Sequence, residues 1–244
     1  MPDHKVAQCH PVHASTMPSP MRKFLAARTL LGSAVFLLAA CVSGPATGPM
    51  GFFITSTNPG KGADFGGLAG ADAHCQRLAT AAGAGNRTWR AYLSTSPAAV
   101  TVANEAVNAR DRIGKGPWFN AKGVLIAADL EQLHGPGNRI TKATALTETG
   151  AVVPGRGDIP NDHDILTGSR MDGTSLSPTP NLTCGNWTQS GPEGGAMTGH
   201  HDRIGPVAEP WAQSWNSSHQ TRGCGLPQLR ATGGAGLIYC FAAD

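Results

Sequence analysis

The sequence predicts an α+β domain with one main helix near its start, short strands and long loops. A helical period is clear at one place, early in the domain, whereas several short β-prone segments lie between turn-forming residues. Gly occurs 32 times and Pro 18 times in 244 residues. Because this much Gly and Pro disfavours long helices, we expect extended loops between the strands and the helix.

The main helix is predicted between two strands. Residues 51–56 predict the first strand, which an Asn-Pro-Gly turn ends. Residues 88–94 alternate as a second strand, and residues 102–113 predict a short second helix. Gly83 or Gly85 can end the main helix. Its apolar face recurs at steps of three and four residues and consists of Leu68, Ala71, Cys75, Leu78, Ala79 and Ala82.

The remainder of the domain predicts short elements separated by turn-rich stretches. In order, these are a hairpin of residues 118–120 and 124–127, one helical turn over residues 130–134, and strands over residues 144–148, 165–168 and 237–241. Residues 170–227 consist mostly of turn-forming residues with isolated Trp. We expect the first and last strands to pair.

The N-terminal region has the plan of an export signal. A basic start at Met21-Arg22-Lys23 precedes an apolar run over residues 30–40, which is too short to span a bilayer. We therefore expect residues 1–40 to be a signal region, with Met21 as the true start.

The apolar run ends in a possible lipidation site. Leu38-Ala39-Ala40-Cys41 resembles the bacterial lipobox, which implies that Cys41 is the first mature residue and carries several acyl chains. Because Val42 rather than Asp follows, we expect an outer-membrane or cell-surface location. An ordinary signal peptide with an incidental Cys is the alternative.

The distribution of charge excludes binding driven by a basic surface. Residues 1–40 hold four Lys or Arg and one acid, whereas residues 41–244 hold 15 basic and 15 acidic residues. A neutral mature chain argues against a nucleic-acid partner, which requires a basic stripe. Residues 41–50 are small and uncharged after Cys41 and predict a lipidated flexible tether, so we expect the domain to span residues 51–244.

Four cysteines remain in the domain and are expected to form two disulfides in an oxidising compartment. They are Cys75, Cys184, Cys224 and Cys240, and they permit three connectivities. Of these we favour Cys75–Cys240 with Cys184–Cys224. The absence of a CxxC spacing argues against zinc-ribbon and thioredoxin-like sites.

The order of these features resembles endostatin-like domains, including those of bacterial secreted lipoproteins. The resemblance covers about residues 51–244 and rests on residues 67–72 with Cys75, residues 88–94, residues 184–188, Ser214-Trp215-Asn216, Cys224 and residues 237–241. It implies a variant of the C-type lectin fold with nested disulfides, and similar bacterial proteins are associated with adhesion to host matrix.

The resemblance does not extend to known metal sites. Residues 51–66 contain no His, so the zinc site of vertebrate endostatin is not transferred. The sequence also lacks Glu-Pro-Asn, Gln-Pro-Asp and Trp-Asn-Asp, so calcium-dependent sugar binding is not supported.

The most distinctive polar residues lie between Cys184 and Cys224. We select His200, His201, Asp202, Trp215, Asn216, His219 and Arg222 as candidate ligand-binding residues. The three imidazoles and the carboxylate could form a structural hydrogen-bond network, which we favour, a polar ligand pocket, or a zinc site. Trp211 or Trp215 could be an exposed platform for sugar stacking.

Four further carboxylates are expected to belong to a solvated loop. They are Asp158, Asp162, Asp164 and Asp172, and their spacing matches no standard calcium loop. We therefore expect no cofactor, with zinc or calcium as the alternatives.

No catalytic motif is present: the sequence contains no GxSxG, HExxH, P-loop or GxGxxG opening a helix. We therefore expect a lipid-anchored binding module, not an enzyme, whose partner is a glycan, an envelope polymer or an extracellular protein. A metal-assisted hydrolase centred on His200, His201, Asp202 and His219, and a purely structural envelope protein, are the alternatives.

Overall fold

The computed structural model describes residues 47–99 and 105–244, and it confirms the mixed α+β class. The strands are β1 Phe52–Ile54, β2 Trp89–Ala91, β3 Trp118–Phe119, β4 Leu125–Ala127, β5 Asp164–Leu166, β6 Met197–His200, β7 His219–Gln220 and β8 Leu237–Ala242. The α-helices are α1 Gly67–Ala81, α2 Leu130–His134 and α3 Leu226–Thr232.

The last strand organises the main sheet. β1 and β2 both pair antiparallel with β8 and share its residues Phe241 and Cys240, so they occupy opposite edges of that strand. β5 runs parallel to the beginning of β8, and β6 and β7 extend the sheet beyond β5. The predicted pairing of the first and last strands is therefore confirmed, and the predicted β3–β4 hairpin forms a separate two-stranded sheet.

Both faces of β8 are buried. Alternate side chains of a strand point to opposite faces, and the two sets of β8 side chains enter two different apolar clusters. Ile238 and Cys240 belong to the apolar cluster that includes the buried face of α1. Tyr239 and Phe241 belong to a second cluster, which contains Trp118 and Trp215. The periodicity that predicts α1 is confirmed for Ala71, Cys75 and Ala79, which are fully buried, whereas Ala82 of the predicted face lies just past the helix end and is exposed.

Two disulfides connect distant parts of this core. They join Cys75 to Cys240 and Cys184 to Cys224, which is the connectivity favoured from the sequence. Cys184 begins a single left-handed turn, in which all four residues of Cys184–Trp187 have positive φ. Such turns are costly for L-residues. Here the turn is held by the disulfide and by the Asn186 amide, which bonds both backbone groups of Ser96.

Several predicted elements differ from the structure. Within residues 106–113 the helical conformation is confined to a 3-10 turn at Ala109–Asp111, because the backbone around Val107 bonds to Thr95 instead. Residues 144–148 form isolated bridges rather than a strand. The turn-rich stretch 170–227 contains β6 and β7, and Pro227 lies in the first turn of α3, where its fixed φ favours a helix start.

The packed domain begins earlier than predicted. Thr47 bridges to Val124 and Met50 bridges to Phe119, so residues 47–50 of the predicted tether pack on the hairpin. A Cβ at Gly48 would collide with the Phe119 ring, which explains why this segment can lie so close. The predicted signal region and Cys41 lie outside the described residues. In the described part of the chain no helix is long and apolar enough to cross a membrane.

Candidate functional site

Strand register brings three polar side chains together. The sequence predicts His200 and His219 as site residues, whereas Asp164 is expected in a solvated loop. Asp164 of β5 lies directly opposite His200 of β6. Thr198, two residues before His200 and therefore on the same face, lies opposite His219 of β7. A Cβ at Gly199 would collide with the Trp215 carbonyl, so this position requires glycine for the 214–216 segment to cross β6.

The atoms of these side chains converge on one carboxylate oxygen. Asp164 Oδ1 lies 3.3 Å from His200 Nε2 and 3.4 Å from His219 Nε2, and the two Nε2 atoms are 2.9 Å apart. His163 Nε2 lies 3.2 Å from the same oxygen. We call Asp164, His163, His200 and His219 the histidine cluster. Its side chains are buried except for that of His219, which is 31% exposed.

The other ring nitrogens of the cluster face acceptors. His200 Nδ1 lies 2.7 Å from the Ala212 carbonyl oxygen, and His219 Nδ1 lies 3.3 Å from that of Gln220. A carbonyl oxygen only accepts, so both Nδ1 atoms must donate, and in the neutral rings both Nε2 atoms then carry lone pairs. Neither oxygen of Asp164 has a hydrogen-bond partner among the described residues. The cluster therefore presents three electron-rich atoms to one another.

The pKa values of Asp164 and His219 are shifted in opposite directions, each by contact with the other. Burial opposes ionisation of Asp164, but His200 and His219, which can donate to the carboxylate only when Nε2 carries a proton, outweigh burial and hold the pKa of this carboxyl below its usual range. The Asp164 carboxylate raises the pKa of His219, although partial burial of that ring opposes the shift. The cluster thus attracts positive charge, whether as a proton or as a cation.

Two of the predicted residues do not join this convergence. His201 follows His200 but its Nε2 contacts the Pro154 carbonyl at 3.2 Å, and burial lowers its pKa. Asp202 accepts from the backbone N–H groups of Arg156 and Ile204 and lies 3.4 Å from His163 Nδ1. The predicted grouping of His200, His201, Asp202 and His219 is therefore corrected: adjacent residues along a strand end point in different directions.

The expectation of a solvated acidic loop is wrong for Asp164, which is only 2% exposed. Asp158 does lie at the surface, where it forms an ion pair with Lys142. Sequence reasoning missed His163 and Asp164 because neighbouring aspartates suggested exposure. Their position at the start of the strand that contains the apolar residues Ile165 and Leu166 could have indicated that both side chains are buried.

A separate pocket of about 330 Å³ is lined in part by the segment that follows β6, from Arg203 to Asn216. It is lined by His134, Gly135, Pro136, Asn138, Met171, Arg203, Ala208, Pro210, Gln213, Ser214, Trp215 and Asn216. Its wall is tied to the histidine cluster, because the backbone N–H of His200 donates to the Ser214 carbonyl at 2.8 Å. The volume falls in the range of small-molecule sites.

The predicted pocket residues have mainly structural contacts. Trp215 is 3% exposed and packs against Tyr92 and Tyr239. The Asn216 amide nitrogen donates to the Tyr92 hydroxyl at 2.9 Å and to backbone carbonyls. These two residues form part of the pocket wall. Arg222 is exposed and does not line this pocket.

Arg203 supplies the charge of the pocket, although it is not among the ligand-binding residues selected from the sequence. Its guanidinium donates to Asn138 Oδ1 at 3.2 Å and forms no ion pair within the described residues. The lining contains no acidic side chain and no lysine. Burial lowers the pKa of Arg203, a residue that stays charged at neutral pH. His134 is held neutral, because burial lowers its pKa.

Several large apolar side chains are exposed on the segments that line this pocket. Trp211 is 44% exposed, and Ile204 and Val207 are each 47% exposed, all on the loop that supplies Arg203 and Pro210. Met171, a lining residue, is 41% exposed. Of the two tryptophans considered as a stacking platform, only Trp211 is accessible.

The sequence matches no known protein-family model and no curated protein.

Proposed function

We propose that the protein is a lipid-anchored extracytoplasmic binding module that takes a glycan bearing carboxylate groups into the Arg203 pocket. We further propose that its fold is a variant of the C-type lectin fold of the endostatin-like kind. The early helix, the paired first and last strands, the nested disulfides and the long loops all support this fold.

The observation that carries the proposal is the charge of the pocket. Arg203 is the one formally charged side chain in the lining, and its guanidinium has no carboxylate partner among the described residues. A guanidinium offers five N–H donors in a plane and binds carboxylates in a bidentate manner. The site therefore favours an anionic ligand although the mature chain as a whole is neutral.

The surroundings of the pocket favour a sugar as the carrier of that charge. Trp211 is exposed beside Pro210, which lines the pocket. An indole face with a nearby polar site suits a ring that has both apolar C–H groups and hydroxyls. Ser214, Gln213 and Asn138 add neutral hydrogen-bonding groups to the lining.

The alternative of a metal-assisted hydrolase is less well supported. Its predicted residue set is not assembled, and the pocket lining contains no member of the histidine cluster. A hydrolase requires the metal-bound nucleophile and the substrate to share one cavity.

A binding array tests the proposal directly. Residues 42–244, exported so that both disulfides form, are applied to acidic glycans, neutral glycans and extracellular matrix proteins. We expect binding to carboxylate-bearing glycans, weakened about tenfold or more by Arg203→Gln, because charged hydrogen bonds contribute about 1.5–3 kcal/mol. Arg203 already has a positive φ, so glutamine adds no new backbone strain.

The matched control is Arg222→Gln, which removes an exposed arginine outside the pocket. It should leave glycan binding unchanged. Binding to matrix proteins alone, binding to no class, or equal binding by the Arg203→Gln protein would contradict the proposal.

A further inference from the structure

We propose that Asp164, His200 and His219 bind a divalent transition-metal ion, zinc, and that His163 positions the carboxylate. This site shares no side chain with the lining of the Arg203 pocket, so the zinc proposal does not rest on the glycan that we assign to that pocket. The ion would join β5, β6 and β7, the three outermost strands of the main sheet on that side.

The spacing of the three ligand atoms fits zinc. Zinc–nitrogen and zinc–oxygen bonds are about 2.0–2.2 Å long, and tetrahedral angles place two such ligand atoms about 3.3 Å apart. The three separations among Asp164 Oδ1, His200 Nε2 and His219 Nε2 are 2.9, 3.3 and 3.4 Å. One ion can therefore contact all three atoms with small adjustments of the side chains.

The chemistry of the cluster requires positive charge at this point. The Nδ1 atoms of His200 and His219 face carbonyl oxygens, so their Nε2 atoms carry the lone pairs that a metal needs. Both oxygens of Asp164 are buried without a hydrogen-bond partner within the described residues. A buried carboxylate of this kind is expensive unless it is paired or coordinates a metal.

The contacts around the ligands match the usual support of a metal site. Metal-binding histidines normally donate their second nitrogen to a carbonyl or carboxylate. His200 Nδ1 does so to Ala212, at 2.7 Å. His163 lies between two carboxylates, with Nε2 3.2 Å from Asp164 Oδ1 and Nδ1 3.4 Å from Asp202 Oδ1. The contact from Nε2 lets His163 orient Asp164, while its ring stacks on that of His200 with the ring centroids 4.3 Å apart.

Two imidazoles and one carboxylate select zinc over calcium, which takes six to eight oxygen ligands. Three protein ligands leave a fourth position of the zinc ion for water. The 31% exposure of the His219 side chain gives an ion a route to the site from solvent.

Zinc titration of the metal-free domain tests the site. Residues 42–244 are purified without a histidine tag, freed of metal with a chelator, and titrated with zinc by calorimetry. We expect one zinc per chain, and at zinc about 100-fold above Kd a rise in melting temperature of roughly 5–10 °C. Cobalt should give the intense visible bands of a four-coordinate ion.

Three variants separate ligation, positioning and folding. Asp164→Asn keeps the shape of the side chain and should abolish the thermal shift. His219→Ala changes a partly exposed residue, so the fold should survive while zinc binding is lost. His163→Gln should keep the 1:1 stoichiometry with an affinity about 10–100-fold weaker, as expected of a positioning residue.

His74→Gln is the matched control, because His74 is a buried histidine on α1 outside the cluster. It should bind zinc like the unmodified protein. No zinc binding by the correctly disulfide-bonded domain would overturn the proposal and indicate that the cluster holds a proton instead. Unchanged binding by His219→Ala would place the ion elsewhere, and this variant decides the question if Asp164→Asn does not fold.

Discussion

Two buried aspartates, one on α1 and one on β5, have opposite kinds of surroundings. Asp72 on α1 accepts from the backbone N–H of Ala91, from Arg90 and twice from Arg112, at 2.7–2.9 Å. Asp164 on β5 is more deeply buried, yet neither of its oxygens has a hydrogen-bond partner in the described part of the chain. The first carboxylate is paired with fixed guanidinium groups, whereas the second faces imidazole nitrogens.

This difference shows how each region reaches its stability. The region of Asp72 combines an ion pair with the apolar cluster around α1 and the Cys75–Cys240 disulfide, so the protein supplies every partner. The region of Asp164 supplies acceptors for a charge that must come from outside, as a proton or as the zinc ion proposed above. We therefore expect the α1 region to be insensitive to metal and the β5–β7 region to depend on it.

Removal of the Cys75–Cys240 disulfide should give the largest loss of stability. Its ends are 165 residues apart, and the chain-entropy model assigns such a closure about 5 kcal/mol. We expect urea titrations of the Cys75→Ala/Cys240→Ala protein to give a free energy of unfolding lower by most of this contribution of about 5 kcal/mol. Zinc should still raise the melting temperature of this protein.

The second disulfide provides the comparison. Its ends are 40 residues apart, so Cys184→Ala/Cys224→Ala should lose somewhat less, about 4 kcal/mol. If loss of Cys75–Cys240 also abolished the response to zinc, the two regions would be one cooperative unit and the distinction drawn between them would fail.

Neutralising Asp72 should give the next largest effect. Asp72→Asn leaves the Arg112 guanidinium, whose side chain is only 12% exposed, without its counter-charge. We expect a loss of about 3 kcal/mol in the free energy of unfolding by urea, because breaking a buried pair strands one charge. This loss should be the same with and without zinc.

Arg90→Gln tests whether burial decides the size of that effect. The Arg90 side chain is 44% exposed, so its ion pair with Asp72 should contribute no more than about 1 kcal/mol. Equal losses for Asp72→Asn and Arg90→Gln would argue that the Arg112 contact is not the important one.

The part of the fold that the sequence predicts is the part set by local pattern. Helix α1 follows from apolar residues at helical spacing, and β8 from a run of apolar and aromatic residues. β6 could not be predicted, because Met197–His200 reads Met-Thr-Gly-His and its strand conformation comes from pairing with β5. Long-range register leaves no mark in such a short segment.

The same limit applies to the functional residues. His200 and His219 stand out in the sequence as imidazoles in a loop closed by a disulfide, and the structure brings them together. Asp164 completes the group only through its register opposite His200, about 36 residues away along the chain. Arg203 differs from the other candidates because the pocket lining contains no acidic side chain to pair with it, which is a property of packing and not of sequence spacing.

The smallest expected effect is a pH dependence of stability that arises at His74, which lies on α1 and outside the β5–β7 region. His74 Nε2 lies 2.9 Å from the Thr57 carbonyl oxygen and must donate to it, while Nδ1 accepts from Arg77 at 3.2 Å. Burial lowers the pKa of His74, and the nearby Arg77 charge acts in the same direction. Protonation would remove the bond from Arg77 and place two cations side by side.

The sign of the pH effect follows from this lowered pKa. The unfolded chain binds a proton at His74 near the ordinary value of about 6.5, whereas the folded protein resists it. Stability from neutral His74 is therefore present above that pH and declines as the pH falls below it. In buffer that contains a chelator to remove metal ions, lowering the pH from about 7.5 to about 5.5, values that bracket about 6.5, should reduce the free energy of unfolding of His74→Gln by less than that of the unmodified protein. Urea titrations at both pH values measure this difference, and parallel losses in the two proteins would show that His74 titrates alike in both states.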